Sequence, residues 1–177
     1  HEPVRTAAQV DAVQDEIDPQ ADLGYVMDAI RAARERIDVP LIGFAGAPFT
    51  LASYVVEGKG SKNYYETKKL MHGDSGAWHA LMEKFSRAIL GYLNAQIAAG
   101  AKAVQLFDRW VGCLGPRDYR EFVQPHVRSN LEGLDKSVPS IHFGTGKPRL
   151  YPLMKEAGGD VVGVDWRVDL GEQWDLL

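Results

Sequence analysis

The sequence predicts an α/β fold built on a parallel sheet, and three observations predict it. Short apolar runs recur at 39–46, 101–108, 138–144 and 160–166. Stretches with helical spacing separate them. No two-residue hairpin signal joins any pair of runs, so each strand must return through a helix and lie parallel to the last.

Taken in order, Asp22 to Ile37 places Leu23, Val26, Met27, Ile30 and Ala33 on one helical face. The run VPLIGFAG (39–46) reads as a strand buried on both faces. Pro48 stands where a helix tolerates proline, at the start of a helix through Val56. Tyr64 to Met71 is a second helix, and Ser75 to Ala99 a long one ended by Gly100. AKAVQLFD (101–108) is the second strand, and Pro116 to Leu134 a helix opened by Pro116 and Asp118. VPSIHFG (138–144) is the third strand. Pro148 to Ala157 is a short helix closed by Gly158-Gly159, and DVVGVDW (160–166) is the fourth strand. The opening HEPVRTAAQVDAVQDEIDPQ reads as extended and polar, and the final LGEQWDLL carries no evident closing element.

The chain has 177 residues, 45% hydrophobic, enough for a sizeable core in one domain over 1–177. Its net charge of -4, with both signs interspersed, excludes a basic face for nucleic acid. No apolar run reaches membrane-spanning length, and no signal-peptide pattern opens the chain. One cysteine, Cys113, excludes an internal disulfide framework and fits a reducing compartment, so a cytoplasmic protein is expected. A closed (β/α)8 TIM barrel takes about 250 residues. Four strands in this length therefore predict a partial barrel, and a chain starting at His1 fits a cut through something larger.

The residues of interest fall just after strands: Gly46-Ala47-Pro48, Asp108-Arg109-Trp110, Gly144-Thr145-Gly146 and Asp165-Trp166. That edge of a parallel sheet is where ligands bind. The first turn holds no Asp, Glu, His, Lys or Cys, which suggests a wide apolar pocket whose chemistry comes largely from the substrate. Asp108 and Asp165 are expected to cap the following loops, and Trp110 and Trp166 to pack beneath them. His142, inside a strand, reads as a core or interface histidine. His72, His79, His126, Glu83, Lys84, Lys68 and Lys69 read as surface residues of helices. Lys59-Gly60-Ser61-Lys62 follows a helix and lacks phosphate-loop spacing.

GFAGAPFTLASYVVEGKGS (43–61) resembles the strand–turn–helix signature of the uroporphyrinogen decarboxylase family. The resemblance continues through AGAKAVQLFDRWVGCLGPRDYREFVQPH (98–126), VPSIHFGTG (138–146) and AGGDVVGVDWRVDL (157–170). It implies a cofactor-free TIM barrel, usually a homodimer. It implies an enzyme that converts uroporphyrinogen III to coproporphyrinogen III by removing four acetate carboxyl groups, in haem and tetrapyrrole biosynthesis. A protonated pyrrole of the substrate serves as electron sink, so neither metal nor organic cofactor is expected. Phe44 and Phe107 match apolar residues facing the macrocycle. Gly46, with Gly43 and Ala47, matches the close approach of backbone to ring. Tyr54 matches the family tyrosine that hydrogen-bonds a substrate carboxylate or the catalytic carboxylate, and it is the residue assigned a catalytic role.

Arg109 departs from the pattern, since the family has Phe-Asp-Ser-Trp where this chain has Phe107-Asp108-Arg109-Trp110. The guanidinium either pairs bidentately with a substrate carboxylate or lies on a solvated loop. The family's arginine-bearing N-terminal segment, the aspartate that holds the pyrrole NH groups and the C-terminal histidine segment have no counterpart here. A catalytically incomplete piece or a tetrapyrrole-binding paralogue is thus the alternative. A corrinoid-dependent methyltransferase of the same superfamily is disfavoured. Its His-x-Cys zinc pair corresponds to His142-Phe143-Gly144, which has no cysteine.

Overall fold

Each apolar run contains a strand, and each strand is shorter than its run. The computed structural model describes residues 2–146 and 148–177. The strands are β1 (Ile42–Gly46), β2 (Ala103–Asp108), β3 (Ser140–Gly144) and β4 (Val161–Gly163). They form one parallel sheet in the order β1-β2-β3-β4. The helices are α1 (Ala7–Asp11), α2 (Pro19–Arg34), α3 (Pro48–Glu57), α4 (Tyr65–Gly73), α5 (Ser75–Ala98), α6 (Pro116–Phe122), α7 (Gln124–Gly133), α8 (Tyr151–Ala157) and α9 (Leu170–Leu176). This strand–helix alternation is a portion of a (β/α)8 barrel, as the sequence predicts.

Side chains alternate across the sheet. Ala45, Val104, Leu106 and His142 are buried toward the helices, where Phe49, Trp78, Leu93, Val127 and Met154 complete the core. Register places Phe44, Gln105, Ile141 and Val161 in one row of the opposite face, and Gly46, Phe107, Phe143 and Gly163 in the next. That face is open: Ile42 and Val161 are exposed, and Phe44 is 61% exposed. The expectation that 39–46 is buried on both faces is corrected, because four strands do not curl far enough to cover their own inner face.

Gln96 of α5 takes part in the edge of β1. Its Oε1 accepts from Phe44 N at 3.0 Å and its Nε2 donates to Phe44 O at 3.0 Å. It satisfies two groups that no strand pairs on that side.

Other local expectations are revised. The opening stretch is not wholly extended, because Thr6 caps α1 by accepting from Gln9 N, and Val10 is buried. Helix α2 starts at Pro19 rather than Asp22, with Asp18 accepting from Gln20 N and Ala21 N. The helix expected over 116–134 breaks at Val123 (φ -126°, ψ -51°). Pro125 has no N–H for the Glu121 carbonyl and its ring clashes there. The chain also gains α9, with Asp169 accepting from Glu172 N. Lys84 is not a solvated residue. Its Nζ donates to the Asp11 and Val13 carbonyls and pairs with Asp15, tying α5 to the segment after α1.

Candidate active site

The C-terminal ends of the strands bring their loops together by specific bonds. Ala47 N donates to Phe107 O at 2.9 Å, and Thr50 Oγ1 donates to the same carbonyl at 3.2 Å, which seats the start of α3 on the end of β2. Thr145 Oγ1 donates to Arg109 O at 2.7 Å. Gly146 N donates to Asp165 Oδ2 at 3.1 Å, and Asp165 also accepts from the Arg167 backbone and guanidinium. These bonds hold Asp165 ionised below the usual carboxylate range despite its burial. Asp165 therefore caps its loop as expected. Trp166 does not pack beneath it: the ring is 84% exposed, with the Arg167 guanidinium 4.7 Å above it.

Three phenylalanines line the open face. Phe44 meets Phe107 edge-on at 5.6 Å, and Phe107 meets Phe143 edge-on at 5.6 Å. Gly46 lies beside Phe107 in register, and a Cβ there would stand 3.0 Å from Leu51 Cδ2. Gly43 faces the helices instead, where a Cβ would meet Gln96 Oε1 at 2.7 Å, so its need for glycine comes from packing against α5.

Tyr54 and Arg109 arrive from different elements and meet the same ring. Tyr54 packs edge-on to Trp110 at 5.8 Å, and the Arg109 guanidinium carbon lies 5.3 Å from the centre of that ring. Tyr64 closes the cluster at 5.7 Å from Trp110. Tyr64 is 6% exposed, and burial pushes its phenol up to about 12, so it stays neutral. Tyr54 is 48% exposed and Arg109 is exposed. Trp110, read from the sequence as packing, is the hub of the group. Its type was visible beside Arg109, but nothing in the sequence says that α3 and the 58–64 loop converge on it.

Behind the strand ends, Asp108 and His142 are completely buried, with His142 Nε2 3.4 Å from Asp108 Oδ2. His142 Nδ1 donates to the Met154 carbonyl at 3.4 Å. Burial raises the Asp108 carboxyl above its ordinary range, which His142 only partly opposes. The two side chains are hydrogen-bond partners across β2 and β3. Among the described residues Asp108 Oδ1 and the buried Tyr119 hydroxyl lack hydrogen-bond partners, and burial together with the nearby Asp108 raises the Tyr119 phenol well above its usual range. His142 is thus the core histidine expected, whereas Asp108 pairs across strands rather than capping its loop. His126, expected on the surface, is buried, with its Nε2 2.8 Å from His79 Nδ1. Among the described residues no group of three or more His, Cys, Asp or Glu side chains is arranged to hold a metal ion.

The family described as Uroporphyrinogen decarboxylase (URO-D) matches residues 1–176. A uroporphyrinogen decarboxylase from Sorangium cellulosum is 54% identical over 180 aligned positions, covering 100% of this chain and 51% of that protein. Those from Carboxydothermus hydrogenoformans and Geobacter sp. (strain M21) are 50% and 48% identical over 99% of this chain, and 51% and 52% of their own lengths. The chain spans about half the length of the curated relatives it matches. In structure, a methyltransferase from Methanosarcina mazei superposes with a TM-score of 0.73 over 89% of this chain and 45% of its own, at 17% identity, a likeness of fold. On sequence, the chain belongs to the uroporphyrinogen decarboxylase family.

Proposed function

We propose that this chain carries a uroporphyrinogen decarboxylase site, acting without a cofactor as a carboxy-lyase on a polycarboxylate tetrapyrrole. The observation that carries the reading is the open apolar face of Phe44, Phe107 and Phe143, with Tyr54 and Arg109 gathered around Trp110 in the segment that follows β2. Family membership supplies the substrate class.

In this reading the apolar face receives the macrocycle, and Gly46 gives the ring room beside Phe107. A pyrrole carbon of the substrate takes a proton and becomes an electron sink. The bond between the acetate methylene and its carboxylate breaks, carbon dioxide leaves, and the electron pair enters the protonated pyrrole. The methylene carbon then takes a proton and the ring carbon gives up the one it first accepted, which restores the pyrrole, so each turnover replaces one carbon dioxide by one proton. Tyr54 donates a neutral hydrogen bond to a carboxylate, and Arg109 holds a second carboxylate by charge-assisted bonds. Together they fix the orientation of the substrate against the apolar face.

The reading treats residues 1–177 as one domain contributing a contiguous part of the barrel, in a cytoplasmic homodimer. No helix among the described residues is long and apolar enough to cross a membrane. The alternative is a tetrapyrrole-binding piece without turnover, favoured by Arg109 standing in place of serine.

Anaerobic incubation with uroporphyrinogen, followed by oxidation and chromatography with porphyrin fluorescence, separates the two. Porphyrins with seven to four carboxylates above the no-protein control are expected. Unchanged eight-carboxylate porphyrin, with binding retained, selects the alternative. Light scattering of the same sample reads the dimer.

A further inference from the structure

The cluster around Trp110 contains two donors held in place and not spent on the protein. Among the described residues, Tyr54 Oη has no hydrogen-bond partner and the Arg109 guanidinium has no carboxylate partner, yet both side chains lie against one indole ring. The Arg109 guanidinium carbon lies 5.3 Å from the Trp110 ring centre, within cation–π range, so the contact spends no N–H group on a protein carboxylate. Its backbone carbonyl is pinned separately by Thr145 Oγ1.

Tyr64, the third side chain against the indole, is placed at a cost. Tyr64, with φ 54° and ψ 45°, is the sole non-glycine residue of positive φ among the described residues. Ser61 Oγ accepts from Tyr64 N at 3.0 Å and holds that turn. A bulky residue is disfavoured in this conformation, and such strain collects where a side chain must be placed. Here it delivers the Tyr64 ring to Trp110.

We propose that Trp110 is a positioning residue that holds Arg109 and Tyr54 as one carboxylate-recognising unit, with Tyr64 as its backstop. The proposal deepens the decarboxylase reading and rests on it for the identity of the carboxylate. Trp110 touches no reacting atom. It acts through Arg109 and Tyr54, so its loss should reduce what Arg109 contributes.

The test is a double-mutant cycle in the full chain, combining Arg109→Gln with Trp110→Leu, and reading kcat/KM for uroporphyrinogen and quenching of uroporphyrin fluorescence. In the wild-type background Arg109→Gln should lower both by at least tenfold. In the Trp110→Leu background it should lower them by threefold or less. Trp110→Phe, which keeps an aromatic face under the guanidinium, should restore most of the Arg109 effect. If the leucine variant does not fold, Trp110→Met, which keeps bulk and removes the aromatic face, takes its place with the same expectation of threefold or less, since a structural role alone would leave the Arg109→Gln penalty unchanged in it. Equal Arg109→Gln penalties in all backgrounds overturn the proposal and leave the decarboxylase reading intact. Coupling in porphyrin binding without any turnover overturns that reading and supports the positioning role. No porphyrin binding by the wild-type chain overturns both.

Discussion

His142 Nε2 lies 3.4 Å from Asp108 Oδ2 with both side chains completely buried, directly behind the strand ends that carry Phe107 and Phe143. Burial raises the Asp108 carboxyl, so the folded chain binds more protons than the unfolded chain between the ordinary value of 3.8 and the folded one. Stability therefore falls as pH rises through that window. Asp108→Asn keeps a hydrogen-bonding group beside His142 and removes the titration. Urea unfolding at a series of pH values from 4 to 8 should show the wild type losing stability relative to the variant, and parallel curves would refute the assignment. His142→Leu strips Asp108 of its partner and should cost about 1–3 kcal/mol.

The His79–His126 contact at 2.8 Å sets the opposite slope. Burial, and then His79, lower the His126 imidazole to about 4 from its ordinary 6.5. The folded chain binds fewer protons between those values, so this stability is complete above pH 6.5 and is lost as pH falls toward 4. At 1.36 kcal/mol per pH unit the loss is roughly 3 kcal/mol. His126→Gln should flatten the thermal stability curve below pH 6.5, and an unchanged slope would count against the pair.

Gly112 sits in the turn after β2, where a Cβ would lie 2.6 Å from the Thr145 carbonyl. Backbone cannot rotate away as a side chain does, so Gly112→Ala should push the two loops apart at about 1–3 kcal/mol. It should also lower kcat/KM, because Arg109 and Trp110 precede it in the same turn. Unaltered melting temperature and kinetics would show that the loops yield freely.

Gly43 and Gln96 form a testable couple. A Cβ at Gly43 displaces Gln96 Oε1, which bonds the Phe44 backbone. Gly43→Ala should cost about 1–3 kcal/mol in the wild type. In a Gln96→Ala background the same substitution should cost far less, and additive costs in denaturant titrations would disprove the link.

Tyr54→Phe removes one hydroxyl with no hydrogen-bond partner among the described residues. Its melting temperature should stay within a degree or two of wild type. Loss of a hydrogen bond to a charged carboxylate, about 1.5–3 kcal/mol, corresponds to a drop in kcat/KM of roughly 10- to 100-fold. Full activity would remove Tyr54 from the site.

The sequence by itself determined the strand–helix alternation, the parallel sheet and the edge where the candidate residues gather. Period-2 and period-3.6 patterns and glycine or proline punctuation are local properties, carried in adjacent letters. It also determined that Phe44, Phe107 and Arg109 stand near strand ends, with Tyr54 on the helix that follows the first strand. Tertiary structure alone decided which neighbours they meet. Trp110 as a shared hub, Tyr64 swung round in a left-handed conformation, and Gln96 bonded to Phe44 N and O all depend on contacts between distant segments. The same reason buries His126 and Lys84, whose helical positions read as solvated until α5 packs against His126 and the segment after α1 packs over Lys84. The open face of β1 was missed because burial depends on how many strands curl round it, a property no single strand encodes.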